Sequence, residues 1–181
     1  MNVATATTPF ELLAEYERLS LAHVAGEPEQ IETPGLWRGI GFRIGSRLLA
    51  SRIDEIDELL TPQALTSVPG TQGWVRGIAN VRGNLVPVVD LGDFLFETPT
   101  HMGDRSRLLV IRQHGAHVGL LVDAVTGQRN FGDEQRSVAE SEDDERLQRF
   151  VDENITLEGE RIGLFSMSRL ARAPDFLQAA L

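Results

Sequence analysis

From about residue 37 onward the chain is built of short apolar runs punctuated by turn residues, the pattern of strands joined by tight connections. IGFRI and RLLAS flank Gly45-Ser46 and predict a hairpin. GIANV and LVPVVDL, residues 77–81 and 85–91, flank Arg82-Gly83-Asn84 and predict a second. RLLVIR and HVGLLVDAV flank His114-Gly115 as a third, with TGQRNF read as its extension. FVDENITLEG and ERIGLFSM give a last hairpin around Glu158-Gly159. Between them, IDEIDELL fits the end of a strand or a short helix, TPQALTSVPGTQG a loop, and DLGDFLF a short segment with Asp90 and Asp93 where a helix N-terminus favours acids.

Before this β-rich region the period changes. Thr8-Pro9-Phe10-Glu11 matches a capping box, with proline at the first helical position, where its missing donor costs nothing. Leu12, Leu13, Tyr16 and Leu19 then share a face, and Gly26 with Pro28 supplies a stop. That face suits packing onto the chain's own domain or docking of a partner. EPEQIETPGLW, residues 27–37, has two prolines and no period, and reads as a linker. The expected organisation is a helical extension and linker over 1–36 and one domain over 37–181, closed by a short helix SRLARA that Pro174 stops. Short strands at close spacing predict small barrels or a sandwich, not a parallel α/β sheet.

Charge narrows the partners. The net charge is −10 and all 17 basic residues are arginine, with no lysine, so nucleic acid and anionic membrane surfaces are poor candidates. A nucleic-acid-binding barrel needs a basic face studded with aromatics, and only 6% of residues are aromatic. The balance fits a partner that offers basic groups. There is no cysteine, no run of about 18 apolar residues for a membrane span, and no positive-then-apolar leader; the expectation is a cytoplasmic protein.

Catalytic patterns are missing. There is no G-x-S-x-G, H-E-x-x-H or G-x-x-x-x-G-K-[ST] motif, and Gly39-Ile-Gly41 enters a strand, not a helix. His114-Gly-Ala-His117 is the only close histidine pair, straddles a predicted turn and has no third ligand nearby, so no metal or cofactor is expected. Asp54, Glu55, Asp57 and Glu58 read as the wet face of an amphipathic element. The acid-rich run 133–148 reads as a solvated loop or exposed helix.

The second hairpin therefore carries the functional interest. Its two strands are apolar on both faces, which predicts cover on two sides. Pro87 cannot donate to a ladder and predicts an edge strand or a bulge. Gly83 permits the positive φ of a tight turn, Asn80 can hydrogen-bond the turn backbone, and Arg82 becomes a charged fork on a rigid mount. Such a fork either anchors an interface or merely solubilises a turn.

Gly77-x-x-Asn80-x-Arg82-Gly83 followed by Pro87-x-x-Asp90-Leu91 resembles the core pattern of the CheW family of chemotaxis coupling proteins. The order of Ile56-x-Glu58-Leu59 upstream and VGLLVDAV downstream is similar too, and the likeness runs from about Trp37 to Leu170. It implies a mainly β fold of two intertwined five-stranded SH3-like barrels with a groove between them. It further implies a non-catalytic adaptor: the cytoplasmic tip of a methyl-accepting chemoreceptor docks in the groove, and the regulatory domain of a CheA-like histidine kinase binds barrel ends. By that resemblance Arg82, held by Asn80 and Gly83, stands at the interface. Ile56 and Glu58 match groove positions of the first barrel; Ser106, Arg107 and Leu108 match the groove strand of the second, with Gly119 opposite. Arg107 stands where the family usually has an apolar or small residue. The capped N-terminal helix, GIGFRIG and PGTQGWVRGIANVRG resemble the PilI subgroup, which serves type IV pilus chemosensory systems and twitching motility.

Overall fold

A computed structural model describes residues 8–22, 36–132, 136–138, 144–157 and 159–180. The chain divides into two compact units, Met1–Thr33 and Pro34–Leu181.

The first unit contains helix α1, Pro9–Ala22. Its start is the expected reciprocal cap: the Thr8 amide donates to Glu11 Oε2 at 2.8 Å and the Glu11 amide to Thr8 Oγ1 at 3.3 Å. The hydrogen bonds from Thr8, the backbone one first, hold the Glu11 carboxyl below its usual range. Leu12, Leu13, Tyr16 and Leu19 are exposed. The predicted stop at Gly26 and Pro28 lies outside the described residues.

In the second unit the strands are β1 (Leu36–Ile44), β2 (Arg47–Arg52), β3 (Glu58–Leu60), β4 (Val75–Val81), β5 (Asn84–Asp90), β6 (Arg107–Gln113), β7 (Ala116–Val122), β8 (Ala124–Gly132), β9 (Arg136–Val138), β10 (Val151–Leu157) and β11 (Glu160–Phe165). One sheet has the order β3-β6-β7-β5-β4; the other runs β8-β1-β2-β11-β10, with the three-residue β9 added at its edge. The five-stranded sheet is thus a continuous insert, residues 58–122, between the two halves of the other. A parallel pairing of β11 with β2, Gly163 opposite Leu49, ties those halves together.

Alternation explains how one strand serves two cores. On β6, Leu109 and Ile111 enter the main core with Phe42, Phe165 and Leu120, while Leu108 turns to a smaller cluster with Ala79, Val81, Val86, Val88 and Leu121. A third cluster, Ala50, Phe131, Ile155 and Ile162, sits within the other sheet. The near-continuous apolar run of β6 and β7 is therefore buried on both sides. The β4–β5 hairpin is not: Ala79, Val81, Val86 and Val88 are buried, but Asn80, Leu85 and Pro87 face solvent, and Leu85 is 74% exposed. Double cover holds only where the hairpin meets the main core, at Val89.

Several expectations change in detail. Pro87 lies on neither an edge strand nor a bulge of its own, since β5 runs between β4 and β7. Its partner across the ladder, Ile78, exchanges both backbone hydrogen bonds with Thr66, at 2.8 and 2.9 Å. The pair is thus of the non-hydrogen-bonded kind, and the nitrogen of Pro87 points toward β7, whose pairing with β5 begins at Val88. The bulge falls on β4, between Val75 and Gly77. TGQRNF does not extend the third hairpin: the chain breaks at Asp123 and β8 crosses to pair with β1. IDEIDELL is both things foreseen, a 3-10 turn over Ile53–Glu55 followed by β3.

Short helices close the sheets. Helix α2 (Leu91–Phe96) is capped by Asp90, fully buried, whose Oδ1 accepts from the amides of Gly92 and Asp93 at 3.1 and 3.2 Å. The same carboxylate accepts from Thr100 N at 2.9 Å and Thr100 Oγ1 at 2.8 Å, with Arg76 Nη1 at 4.0 Å. Burial, and secondarily the Asp90 charge, push the Asp93 carboxyl up against the pull of Arg76. Within the acid-rich run the described residues form β9 and α3 (Glu145–Gln148), capped by Asp144. After α4 (Met167–Leu170), Pro174 does more than stop a helix: it opens α5 (Pro174–Leu177) at its first turn.

Candidate protein-interaction surface

The tip of the β4–β5 hairpin is a two-residue turn with both central residues left-handed, Arg82 at φ 50° and Gly83 at φ 87°. That geometry matches the twist of the flanking strands, and the non-glycine residue in it carries a strain of about 1 kcal/mol. Asn80 Oδ1 accepts from the Gly83 amide at 2.8 Å and clamps the turn. At the base of the strand, Gly77 has φ 129°, and a Cβ there would stand 2.3 Å from the Thr66 carbonyl oxygen. The glycines, Asn80 and Asp90 of the motif are therefore scaffolding. Arg82 is what they present.

A second turn of the same kind, His114 at φ 48° and Gly115 at φ 84°, joins β6 to β7. Because β5 and β7 run parallel with Val88 opposite Gly119, both tips emerge at one end of the sheet. β3 starts at that end as well, since Glu58 pairs with Val110 three residues before Gln113 ends β6. There Arg82 Nη2 lies 3.3 Å from Glu58 Oε2. Asp57 Oδ2 is shared by Arg112 Nε at 3.5 Å and His117 Nε2 at 3.3 Å. The Arg82 side chain stays 75% exposed and that of Glu58 29%. Glu58 Oε2 is itself shielded from solvent and accepts no hydrogen bond from the described residues, so it faces the Arg82 guanidinium as an ion pair alone. Solvent-facing Leu59 and Leu85 add apolar area to the strands that carry this pair.

The acid run 54–58 is more than a wet face. Asp54 pairs with Arg52 at 3.1 Å. Glu55 accepts from Ser51 Oγ at 2.8 Å and from the amides of Ser168 and Met167 at 3.0 and 3.4 Å, capping α4 from far away in sequence. With Asp57 on Arg112 and Glu58 on Arg82, three of the acids reach segments distant in sequence, while Asp54 stays on its neighbour Arg52.

The remaining expected interface residues fall differently. Glu58, Arg107, Leu108 and Gly119 do not come from two separate barrels: they sit on β3, β6 and β7 of the same sheet. Ser106, Leu108 and Gly119 are buried within the sheet and its edge. A Cβ on Gly119 would stand 2.9 Å from Leu108 Cδ1. Ser106 Oγ accepts from the Gly103 amide at 2.9 Å. Arg107 folds back, its Nη1 donating to the carbonyls of Asp104 and Ser106, both at 2.7 Å. Ile56 is half-buried against the main core. Of the expected residues Arg82, Asn80 and Gly83 are exposed, and Ile56, Glu58 and Arg107 are partly so. What sequence reasoning missed is Leu85, whose alternation with Val86 and Val88 marked it as outward, and Asp57, whose partners lie far along the chain. His117 pairs with Asp57 and not with His114, and among the described residues no group of three or more His, Cys, Asp or Glu is placed to hold a metal ion. Among the described residues no helix is long and apolar enough to cross a membrane.

Two sheets share a core, and an exposed arginine and paired charges gather at one end of the five-stranded sheet, which defines a small β domain. The chain belongs to the CheW-like domain family, whose family model matches residues 38–175. It is 39% identical over 124 residues to Protein PilI of Pseudomonas aeruginosa, covering 68% of this chain and 70% of that protein. Over 88 residues it is 33% identical to the chemotaxis protein CheW of Thermotoga maritima, covering 49% of this chain and 58% of the relative. The crystal structure of a scaffolding protein CheW from Thermoanaerobacter tengcongensis superposes with a TM-score of 0.62 at 22% identity, over 71% of this chain and 88% of that one, and shares its fold.

Proposed function

We propose that the protein is a non-catalytic adaptor joining the cytoplasmic tip of a methyl-accepting chemoreceptor to the regulatory domain of a CheA-like histidine kinase. Its setting is the chemosensory system that controls type IV pili and twitching motility. Family membership supports the adaptor role, and the likeness to PilI, of higher identity and wider coverage than that to the Thermotoga CheW, supports the pilus setting over a flagellar array. The observation that carries the reading is Arg82, exposed on a clamped turn at one end of the sheet. In this reading the domain over 37–181 does the coupling, the segment 1–36 is an accessory extension, and the protein works in the cytoplasm at receptor clusters.

The mechanism is a coupling free energy between two binding surfaces, with no bond made or broken. A partner carboxylate that takes Arg82 displaces Glu58, an exchange that costs little because an exposed pair of this kind is worth about 0–1 kcal/mol. Glu58 is then left needing a donor, which makes the groove side of β3 sensitive to what the hairpin tip holds. Co-purification from the native cell tests the reading: a large histidine kinase and a receptor should accompany the tagged protein. Recovery of neither from cells that express both would overturn it.

A further inference from the structure

We propose that His117 and Asp57 form a pH-sensitive brace on β3, which a proton on the imidazole tightens. β3 is a three-residue strand at the edge of its sheet, with β6 as its neighbour. So short a ladder opens easily, and its stability depends on what fastens its ends. The entry to β3 is fastened at Asp57. The Asp57 amide donates to the Val110 carbonyl at 2.8 Å. Asp57 Oδ2 lies 3.3 Å from His117 Nε2 and 3.5 Å from Arg112 Nε. His117 and Arg112 stand opposite each other across the β6–β7 ladder, so one carboxylate ties the lead into β3 to both strands of that hairpin. The next residue, Glu58, pairs with Arg82, and the brace therefore sits on the strand that borders the Arg82 turn. It does not depend on Arg82 binding a partner.

Charge sets the direction of the effect. Histidine is the side chain whose charge changes between about pH 5 and 8. Around His117 the charged groups come from several elements. Arg112 lies opposite on β6, Asp57 precedes β3, and Glu58 on β3 is paired with Arg82 of the β4–β5 turn. Asp54 and Glu55, on the 3-10 turn, line a cavity of about 260 Å³ together with Asp57 and Arg112, and Asp54 is held by Arg52. His114 lies in the turn of the same hairpin as His117. Four acids thus stand against three arginines, and a proton on His117 brings this set to neutrality. A neutral imidazole leaves the Asp57 charge to Arg112. A protonated one puts a second cation on the same oxygen, and the acids offset its repulsion from Arg112. The brace is accordingly tight at low pH and slackens as the pH rises through the histidine range. With the His117 side chain 42% exposed and that of Asp57 29%, the gain is that of a partly screened pair.

Amide hydrogen exchange at Asp57 tests this, followed by NMR in the full-length protein at about pH 5.5 and about pH 7.5, on either side of the ordinary histidine value. Rates are expressed as protection relative to the unfolded chain at the same pH, which removes the intrinsic pH dependence of exchange. Wild-type protection should be about two- to five-fold greater at the lower pH, the scale of one exposed ion pair. His117→Gln should abolish that difference. Asp57→Asn, read at the same backbone position, should abolish it as well, and serves as the second variant if His117→Gln lowers the melting temperature. His114→Gln leaves the pair with Asp57 in place and should preserve the difference. Equal protection at the two pH values in the wild type, a difference that survives both His117→Gln and Asp57→Asn, or one that His114→Gln removes would overturn the assignment.

Discussion

Arg82 and Glu58 meet at 3.3 Å although they come from strands at opposite ends of the sheet order, β3 at one edge and the tip of β4–β5 at the other. The pair shows that the sheet curls until its edges approach, and it leaves the guanidinium 75% exposed. An ion pair so wet contributes at most about 1 kcal/mol. Arg82→Ala should therefore shift the urea midpoint by less than that allows and leave the circular dichroism spectrum unchanged. A loss of several kcal/mol would make Arg82 a structural residue.

Asp90 is the opposite case. Its carboxylate is fully buried and accepts from Gly92, Asp93 and both donors of Thr100. Asp90→Ala strands those donors in the interior, and a cost of about 3–5 kcal/mol is expected. Equilibrium urea unfolding measures it. A change below 1 kcal/mol would mean that the cap and the Thr100 tie are dispensable, on the same scale for removing a buried partner.

Gly77 is required on two separate grounds, its φ of 129° and the 2.3 Å approach of a Cβ to the Thr66 carbonyl. Gly77→Ala should break the bridge between Thr66 and Ile78 and destabilise by more than about 2 kcal/mol, beyond the ordinary cost of a positive φ. Amide hydrogen exchange at Ile78 and Thr66 should accelerate with it. Unaltered protection there would show that the strand shifts to make room.

Arg149 holds Asp175 through two hydrogen bonds of 2.8 and 2.9 Å, and this pairing, led by the side-chain hydrogen bond, keeps the Asp175 carboxyl below its usual range. A depressed carboxyl contributes stability that is present above its unfolded value and lost as pH falls through the folded one. The wild-type melting temperature should accordingly fall as pH drops below about 4, the ordinary aspartate range, and Asp175→Asn should flatten part of that decline. With both side chains 45% exposed, the contribution at neutral pH is no more than about 1 kcal/mol. Identical pH profiles for the two proteins would contradict the assignment.

Much of this architecture was legible in the residues. The capping box at Thr8 and Glu11, the hairpins at Gly45-Ser46, Arg82-Gly83 and His114-Gly115, and the clamp from Asn80 all rest on local rules, in which neighbours a few positions apart decide the conformation. What local rules do not carry is pairing across long separations. The crossing of β8 to β1, the insertion of residues 58–122 within the other sheet and the cap from Glu55 to α4 are set by tertiary packing. The same limit hid the site. Leu108 and Gly119 fall among contact positions by the family resemblance alone, and the structure buries both, Leu108 in the cluster with Val81 and Val86. Pro87 misled for a related reason: the donor it lacks is unneeded where β7 has not yet begun to pair.

The most direct test is the affinity of a CheA-like regulatory-domain fragment for the wild-type protein and for Arg82→Asp, measured by isothermal titration with the fold of each checked by circular dichroism. The account predicts a folded variant that binds at least about 30-fold more weakly, the loss of a central anchoring contact. Wild-type affinity in a folded Arg82→Asp protein would contradict it.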